Sequence, residues 1–124
     1  MNQNAVTYVF FYGTLKEGHY NHTRFQLHDP EVGYVQEKDA VVNGFSIEIA
    51  SGLPRAVRRD GGRMTGNVYA VRSMNTLAQL IRMEFGADYT VTGVVAHTAS
   101  GDYECLMFPS NSHQGGPLVE TYNG

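Results

Sequence analysis

The sequence predicts an α+β domain, a small mixed β-barrel with one or two packed helices. Three observations predict it. Segments rich in β-branched and aromatic residues outnumber helical ones. Only one stretch, 74–84, combines helical periodicity with the absence of Gly and Pro. The alternation of a βαβαβ sheet is missing, because several strands precede that helix and more follow it. The 124 residues, 42% apolar and 11% aromatic, suit one domain spanning 1–124 with a single sizeable core.

Taken in order, residues 7–12 (TYVFFY) read as a buried strand that stops at Gly13. A turn-rich stretch, GTLKEGHYNH, leads to a short helix near 21–27. Strands follow over 33–50, broken by a hairpin turn at Asn43-Gly44. Residues 52–54 read as a loop, 56–59 as a short strand and Asp60-Gly61-Gly62 as a tight turn. Residues 64–71 make another strand. Ser73 is a good N-cap for the helix over 74–84, with Met74, Leu77, Leu80 and Ile81 on one face and Asn75, Gln79 and Arg82 opposite. Glu84 falls within the apolar arc, so the helix ends by aiming a carboxylate toward the core. Two further strands are expected at 89–97 and 103–108, and the Gly-, Ser- and Asn-rich tail from Pro109 reads as a mobile loop.

Composition removes several functions. The formal charge is −3 and the only lysines are Lys16 and Lys38, which argues against nucleic-acid binding. The single cysteine, Cys105, leaves no intramolecular disulfide framework or multi-Cys zinc site. No apolar run reaches the roughly 18 residues of a membrane helix. The opening MNQNAVTYVFFY has neither a basic n-region nor a clear cleavage site, so a cytoplasmic protein with no membrane partner is expected.

Among residues with chemical potential, Glu84 comes first. A carboxylate in apolar surroundings is costly to ionise, which raises its pKa toward that of a proton shuttle at neutral pH. The alternative is that it curls to solvent or pairs with Arg82. Next comes Tyr12-Gly13-Thr14-Leu15, where a Gly at the strand exit permits a sharp turn and successive N–H groups can form an anion-binding nest; a plain strand-ending turn is the other reading. A phosphate loop fails, because His19 and Tyr20 stand where Lys and Ser or Thr are required after Gly18. His19 and His22 lack further ligands, so no metal is expected. Cys105 is read as a packing residue. Arg55, Arg58, Arg59 and Arg63 cluster around a turn, as a solvated hairpin end or as partners for an acidic ligand.

These pieces in this order resemble the γ-glutamylcyclotransferase-like family, in particular its γ-glutamylamine cyclotransferase and AIG2-like branch. The residues that carry the resemblance are VFFYGTLKEGHYNH, then SGLPRAV and MTGNVYAV, then LAQLIRMEFGADY, together covering about 9–108. The resemblance implies a small mixed β-barrel and a cofactor-free reaction that releases an amine or amino acid from a γ-glutamyl compound while the glutamyl part closes to 5-oxoproline. By the same resemblance Glu84 is the general base and then acid. Gly13, Thr14 and Leu15 supply backbone donors, Tyr12 shapes the pocket and Tyr89 lines it. The implied partner is a small γ-glutamyl molecule, and the protein is a monomer or small homo-oligomer. Two positions depart from the family pattern: Ile81 stands where Asp is frequent and Val91 where Arg is frequent. A non-catalytic module that binds or sequesters a small metabolite on the same fold is the competing expectation, and turnover should need Glu84 where simple binding tolerates Gln.

Overall fold

The computed structural model describes residues 6–86, 89–110 and 115–123, with the side chains of residues 84–86 outside that description. Along the chain lie β1 (Thr7–Phe11), α1 (Tyr20–Arg24), β2 (Gly33–Ala50), β3 (Leu53–Val71), α2 (Met74–Gly86), β4 (Thr92–Thr98), β5 (Gly101–Met107) and β6 (Leu118–Val119). The strands run in the order β3-β1-β5-β4-β2, and β2 also pairs with β3, which closes a five-stranded barrel; β6 adds to the other edge of β2. The β1–β5 pair is parallel and the other pairs are antiparallel, so the barrel is mixed. The expected fold class is the observed one. No helix among the described residues is long and apolar enough to cross a membrane.

The continuous apolar run of β1 has a direct cause. Strand side chains alternate between faces, and both faces of β1 are covered. Phe10 joins Val42, Ile47, Ala56, Met64, Val68, Ala96, Cys105 and Met107 inside the barrel, a cluster drawn from all five strands. Val9 and Phe11 point the other way, into a second apolar layer with Leu27, Tyr69, Leu77, Leu80 and Phe108. Helix α2 lies over that layer. Its N-terminus is capped as the sequence predicts, with the Thr76 N–H donating to Ser73 Oγ at 3.2 Å. Leu77 and Leu80 are buried and Ile81 is half-buried, whereas Met74, expected on the same face, is exposed. It begins the helix, a turn before the residues that meet the barrel wall.

Several boundaries differ from the sequence reading. Asn43-Gly44 is no hairpin turn: β2 runs straight through it, with Gly44 at φ 89 and a register shift between Asn43 and Phe45. The hairpin turn is Ser51-Gly52, closing Ala50 against Leu53, with φ of 53 and 78 at its two residues, the positive pair of a tight two-residue turn. Leu53 and Pro54, expected in a loop, already belong to β3. The segment around Asp60-Gly61-Gly62 is a bulge within β3 rather than a turn between strands, since Asn43 pairs with Arg63 while Phe45 pairs with Arg58. A Cβ on Gly62 would lie 2.6 Å from the Phe45 carbonyl oxygen, so only glycine fits that bend. Helix α1 is shorter than expected, ending before Gln26, whose φ is 56. β4 begins at Thr92, and Tyr89 makes only an isolated bridge to Ser110. β5 starts at Gly101 and ends at Met107.

The tail is not simply a loop. β6 pairs with Ile47 and Glu48 of β2, and the Glu120 carbonyl accepts the Thr65 N–H at 2.8 Å. Glu48 is wholly buried and its carboxylate accepts the N–H groups of Gly115 and Gly116 at 2.9 and 3.2 Å. A buried carboxylate needs such charge-assisted partners, and the tail supplies them.

Candidate functional site

A cavity of about 280 Å³ opens at one end of the barrel, between the β1 exit, the start of β3, α1 and the last turns of α2. Tyr12, Gly13, Thr14, Leu15 and Tyr89, separated by as much as 77 positions in the chain, all line it. This is near the lower end of the size range for small-molecule sites and suits a ligand of amino-acid size.

Each of these residues is held by identifiable contacts. The buried Tyr12 hydroxyl donates to the Phe108 carbonyl at 2.8 Å and accepts the Ala56 N–H at 3.1 Å, tying β1 to β3 and to the segment after β5. Gly13 is required by proximity: a Cβ there would sit 2.7 Å from Pro54 Cγ. The carbonyls of the following loop turn toward α1. Thr14 O accepts the N–H groups of Asn21 and His22 at 3.0 and 3.3 Å, Thr14 Oγ1 accepts Asn21 Nδ2 at 2.7 Å, and Leu15 O meets His22 Nδ1 at 3.0 Å. The N–H groups of Gly13, Thr14 and Leu15 reach no acceptor among the described residues. Such a run of unpaired donors beside a cavity is the pattern of an anion-binding nest. Tyr89 donates its hydroxyl to the Pro54 carbonyl at 3.0 Å, and the Arg55 guanidinium lies over its ring at 5.8 Å.

Met83 lines the cavity from α2, so the end of that helix reaches the site. Glu84 follows Met83 in the same helix, and its side chain lies outside the described residues. Lys16, next to the loop, is nine-tenths buried, donates to the Tyr122 carbonyl at 2.7 Å, and has its pKa lowered by that burial. His19, whose ring packs on Tyr122, has its pKa lowered by burial and then by the nearby Lys16 charge.

The cavity also contains residues that sequence reasoning missed: Asn21, Arg24, Leu53, Pro54 and Phe108. The SGLP and NH segments marked two of these neighbourhoods, but nothing local says that Pro54 closes on Gly13. Other candidates lie elsewhere. Arg58 stacks on Phe45, Arg59 reaches Ser46, and Arg63 makes an exposed ion pair with Glu120, so the arginine cluster is dispersed along the bulged hairpin. The Cys105 thiol is buried and its pKa is pushed up to about 12 by that burial, which suits the packing role expected for it.

A family model described as "Gamma-glutamyl cyclotransferase, AIG2-like" matches residues 9–123. The chain belongs to this family. Solved structures agree on the fold of this AIG2-like cyclotransferase-family protein. An AIG2-like protein from Mus musculus superposes with a TM-score of 0.80 at 22% identity, over 97% of this chain and 90% of that one. A structure named gamma-glutamyl cyclotransferase gives 0.67 at 17% identity, over 92% and 72%. YkqA from Bacillus subtilis gives 0.69 at 26% identity, over 86% of this chain but only 36% of that one. No curated protein matches the sequence at a significant level.

Proposed function

We propose that this AIG2-like family member is a γ-glutamyl cyclotransferase, releasing an amine or amino acid from a γ-glutamyl compound as the glutamyl part closes to 5-oxoproline. The observation that carries this reading is the run of unpaired N–H groups at Gly13, Thr14 and Leu15, residues that line an amino-acid-sized cavity. The substrate's own α-amine is the nucleophile, so the attack on its γ-carbonyl is intramolecular and gains from proximity alone. The protein's work is to fold the substrate for that attack, stabilise negative charge and move protons.

In this reading Glu84 takes the proton from the α-ammonium as the new C–N bond forms. The tetrahedral oxyanion, or the substrate's carboxylate, is held by the loop N–H groups. Glu84 then returns the proton to the leaving nitrogen as the original C–N bond breaks. Its assignment is supported by the resemblance of 77–84 to the family's helix motif, with Ile81 in place of its Asp, and by Met83, its neighbour, which lines the cavity. Tyr12 and Tyr89 shape the walls, each fixed by its hydroxyl to backbone. Of the two departures from the family pattern, Ile81 packs against the outer apolar layer and Val91 is exposed.

The test is 5-oxoproline release from a panel of γ-glutamyl amines and peptides, wild type beside Glu84→Gln. Release by the wild type, lost by a factor of at least about 10² in the variant with the fold intact, is expected for a general acid–base residue. Normal rates in Glu84→Gln refute the mechanism. Absence of release from every substrate favours the non-catalytic binding module.

A further inference from the structure

The turn that carries the Gly13, Thr14 and Leu15 N–H groups spends its carbonyls on itself and on α1. The Gly13 carbonyl accepts the Lys16 N–H at 3.1 Å, the Thr14 and Leu15 carbonyls are taken by Asn21 and His22, and the Lys16 carbonyl accepts the His19 N–H at 3.1 Å. What fixes this unit on the barrel is therefore a few ties at its two ends. In front stands Tyr12, bonded to Ala56 and Phe108. Behind stand two consecutive residues. The Glu17 N–H donates to Asn67 Oδ1 on β3 at 3.0 Å, and Asn67 Nδ2 donates to the Lys38 carbonyl on β2 at 3.0 Å. The buried Lys16 side chain instead reaches 106 positions along the chain, its Nζ donating to the Tyr122 carbonyl at 2.7 Å. That acceptor is itself held in place. The Ile49 N–H donates to the Pro117 carbonyl at 2.9 Å, the Thr65 N–H to the Glu120 carbonyl at 2.8 Å, and the Glu48 carboxylate accepts from Gly115 and Gly116. The Tyr122 ring packs against the cluster inside the barrel, with its centre 5.7 Å from that of the His19 ring.

We propose that residues 115–123 are a strap that holds the N–H run of residues 13–15 in its working geometry, with Lys16 as the positioning residue that joins strap to turn. This rests on the cyclotransferase reading and deepens it. Neither Lys16 nor Tyr122 lines the cavity, so the link acts from behind the donors rather than on a substrate. A buried ammonium is costly without an acceptor, and its hydrogen bond is charge-assisted, so Lys16 keeps the turn and the strap together. Donors serve a developing oxyanion only when they are fixed before charge appears, since reorienting them during the reaction would cost part of what they contribute.

The experiment compares the wild type with Lys16→Met, which keeps most of the stem and removes the donor, and Tyr122→Gly, which frees the acceptor without altering the turn; either variant suffices if the other fails to fold. Backbone amide order parameters at Gly13, Thr14 and Leu15 should fall from about 0.85 to below about 0.6 in both, while those of residues 9–11 stay at about 0.85. In each variant kcat/KM for 5-oxoproline release should fall about tenfold, less than the roughly 10²-fold for deleting an oxyanion donor, because the donors are loosened and not lost. The double variant should lie within about twofold of the weaker single variant, since both break one link. Unchanged order at 13–15 in both variants overturns the inference. So does order lost equally at 9–11, because Lys16 would then serve the fold as a whole. Additive losses in the double variant, or lost order with wild-type kcat/KM, overturn it as well. A wild type that releases no 5-oxoproline from any γ-glutamyl substrate overturns the cyclotransferase reading, and the order parameters then decide the strap by themselves.

Discussion

Tyr12→Phe tests whether this residue is a structural tie as well as a cavity wall. The substitution removes one oxygen atom and keeps the ring. That oxygen serves two buried backbone groups at once, accepting from the Ala56 N–H and donating to the Phe108 carbonyl. Ala56 is wholly buried and Phe108 is 3% exposed, so water cannot replace the hydroxyl without opening the packing. Each orphaned group costs roughly 1–3 kcal/mol, which places the total loss at about 2–6 kcal/mol. For a chain of 124 residues this lowers Tm by about 8–20 °C. Urea unfolding followed by far-UV circular dichroism gives the stability directly, with a lower midpoint and an unchanged slope expected. Because the tie joins β1, β3 and the segment carrying Phe108, the cavity should loosen too, raising KM more than it lowers kcat. A stability change below about 0.5 kcal/mol would refute the reasoning, since that is the size of a neutral surface substitution and would mean both groups find other partners.

Three further outcomes are expected. Gly13→Val places side-chain carbons against Pro54, whose Cγ would lie 2.7 Å from the new Cβ; it should destabilise the fold by about 1–3 kcal/mol and weaken binding of γ-glutamyl ligands in a titration, and unchanged affinity would remove the loop from the site. Glu48→Ala leaves the Gly115 and Gly116 N–H groups without their carboxylate, so amide hydrogen exchange at both should accelerate at least tenfold while that of the β1 amides changes less. The third concerns alkaline pH. Burial raises the Cys105 thiol from 9.0 to about 12 and the Tyr69 hydroxyl from 10.0 to about 12. Above pH 9 the unfolded chain therefore loses protons that the folded chain keeps, and stability falls with rising pH between about 9 and 12. Cys105→Ala should flatten that decline in urea midpoints measured at pH 8 to 10.5, and an identical slope in the variant would count against the buried thiol as its source.

Local physics made much of this protein legible in its sequence. The β-branched and aromatic run of β1, the Ser73 cap with Leu77 and Leu80 behind it, and the glycine after Tyr12 each depend on residues within a few positions of one another. All four neighbouring residues of the YGTL motif line the cavity. The tertiary structure alone decided what depends on distant partners. Gly44 and Gly61-Gly62 look like turns, yet the pairing of β2 with β3 carries the chain through both as bulges. The polar tail gains a strand because buried Glu48 needs its N–H donors and the edge of β2 is free to pair. Pro54 and Phe108 enter the cavity because barrel closure through the β1–β5 and β2–β3 pairs brings two remote segments to the end of β1, where Asn21 and Arg24 already stand on the helix bonded to the Thr14 loop. Propensity and turn chemistry act along the chain over a few residues, whereas strand register and cavity lining are set by burial shared between segments that the sequence keeps far apart.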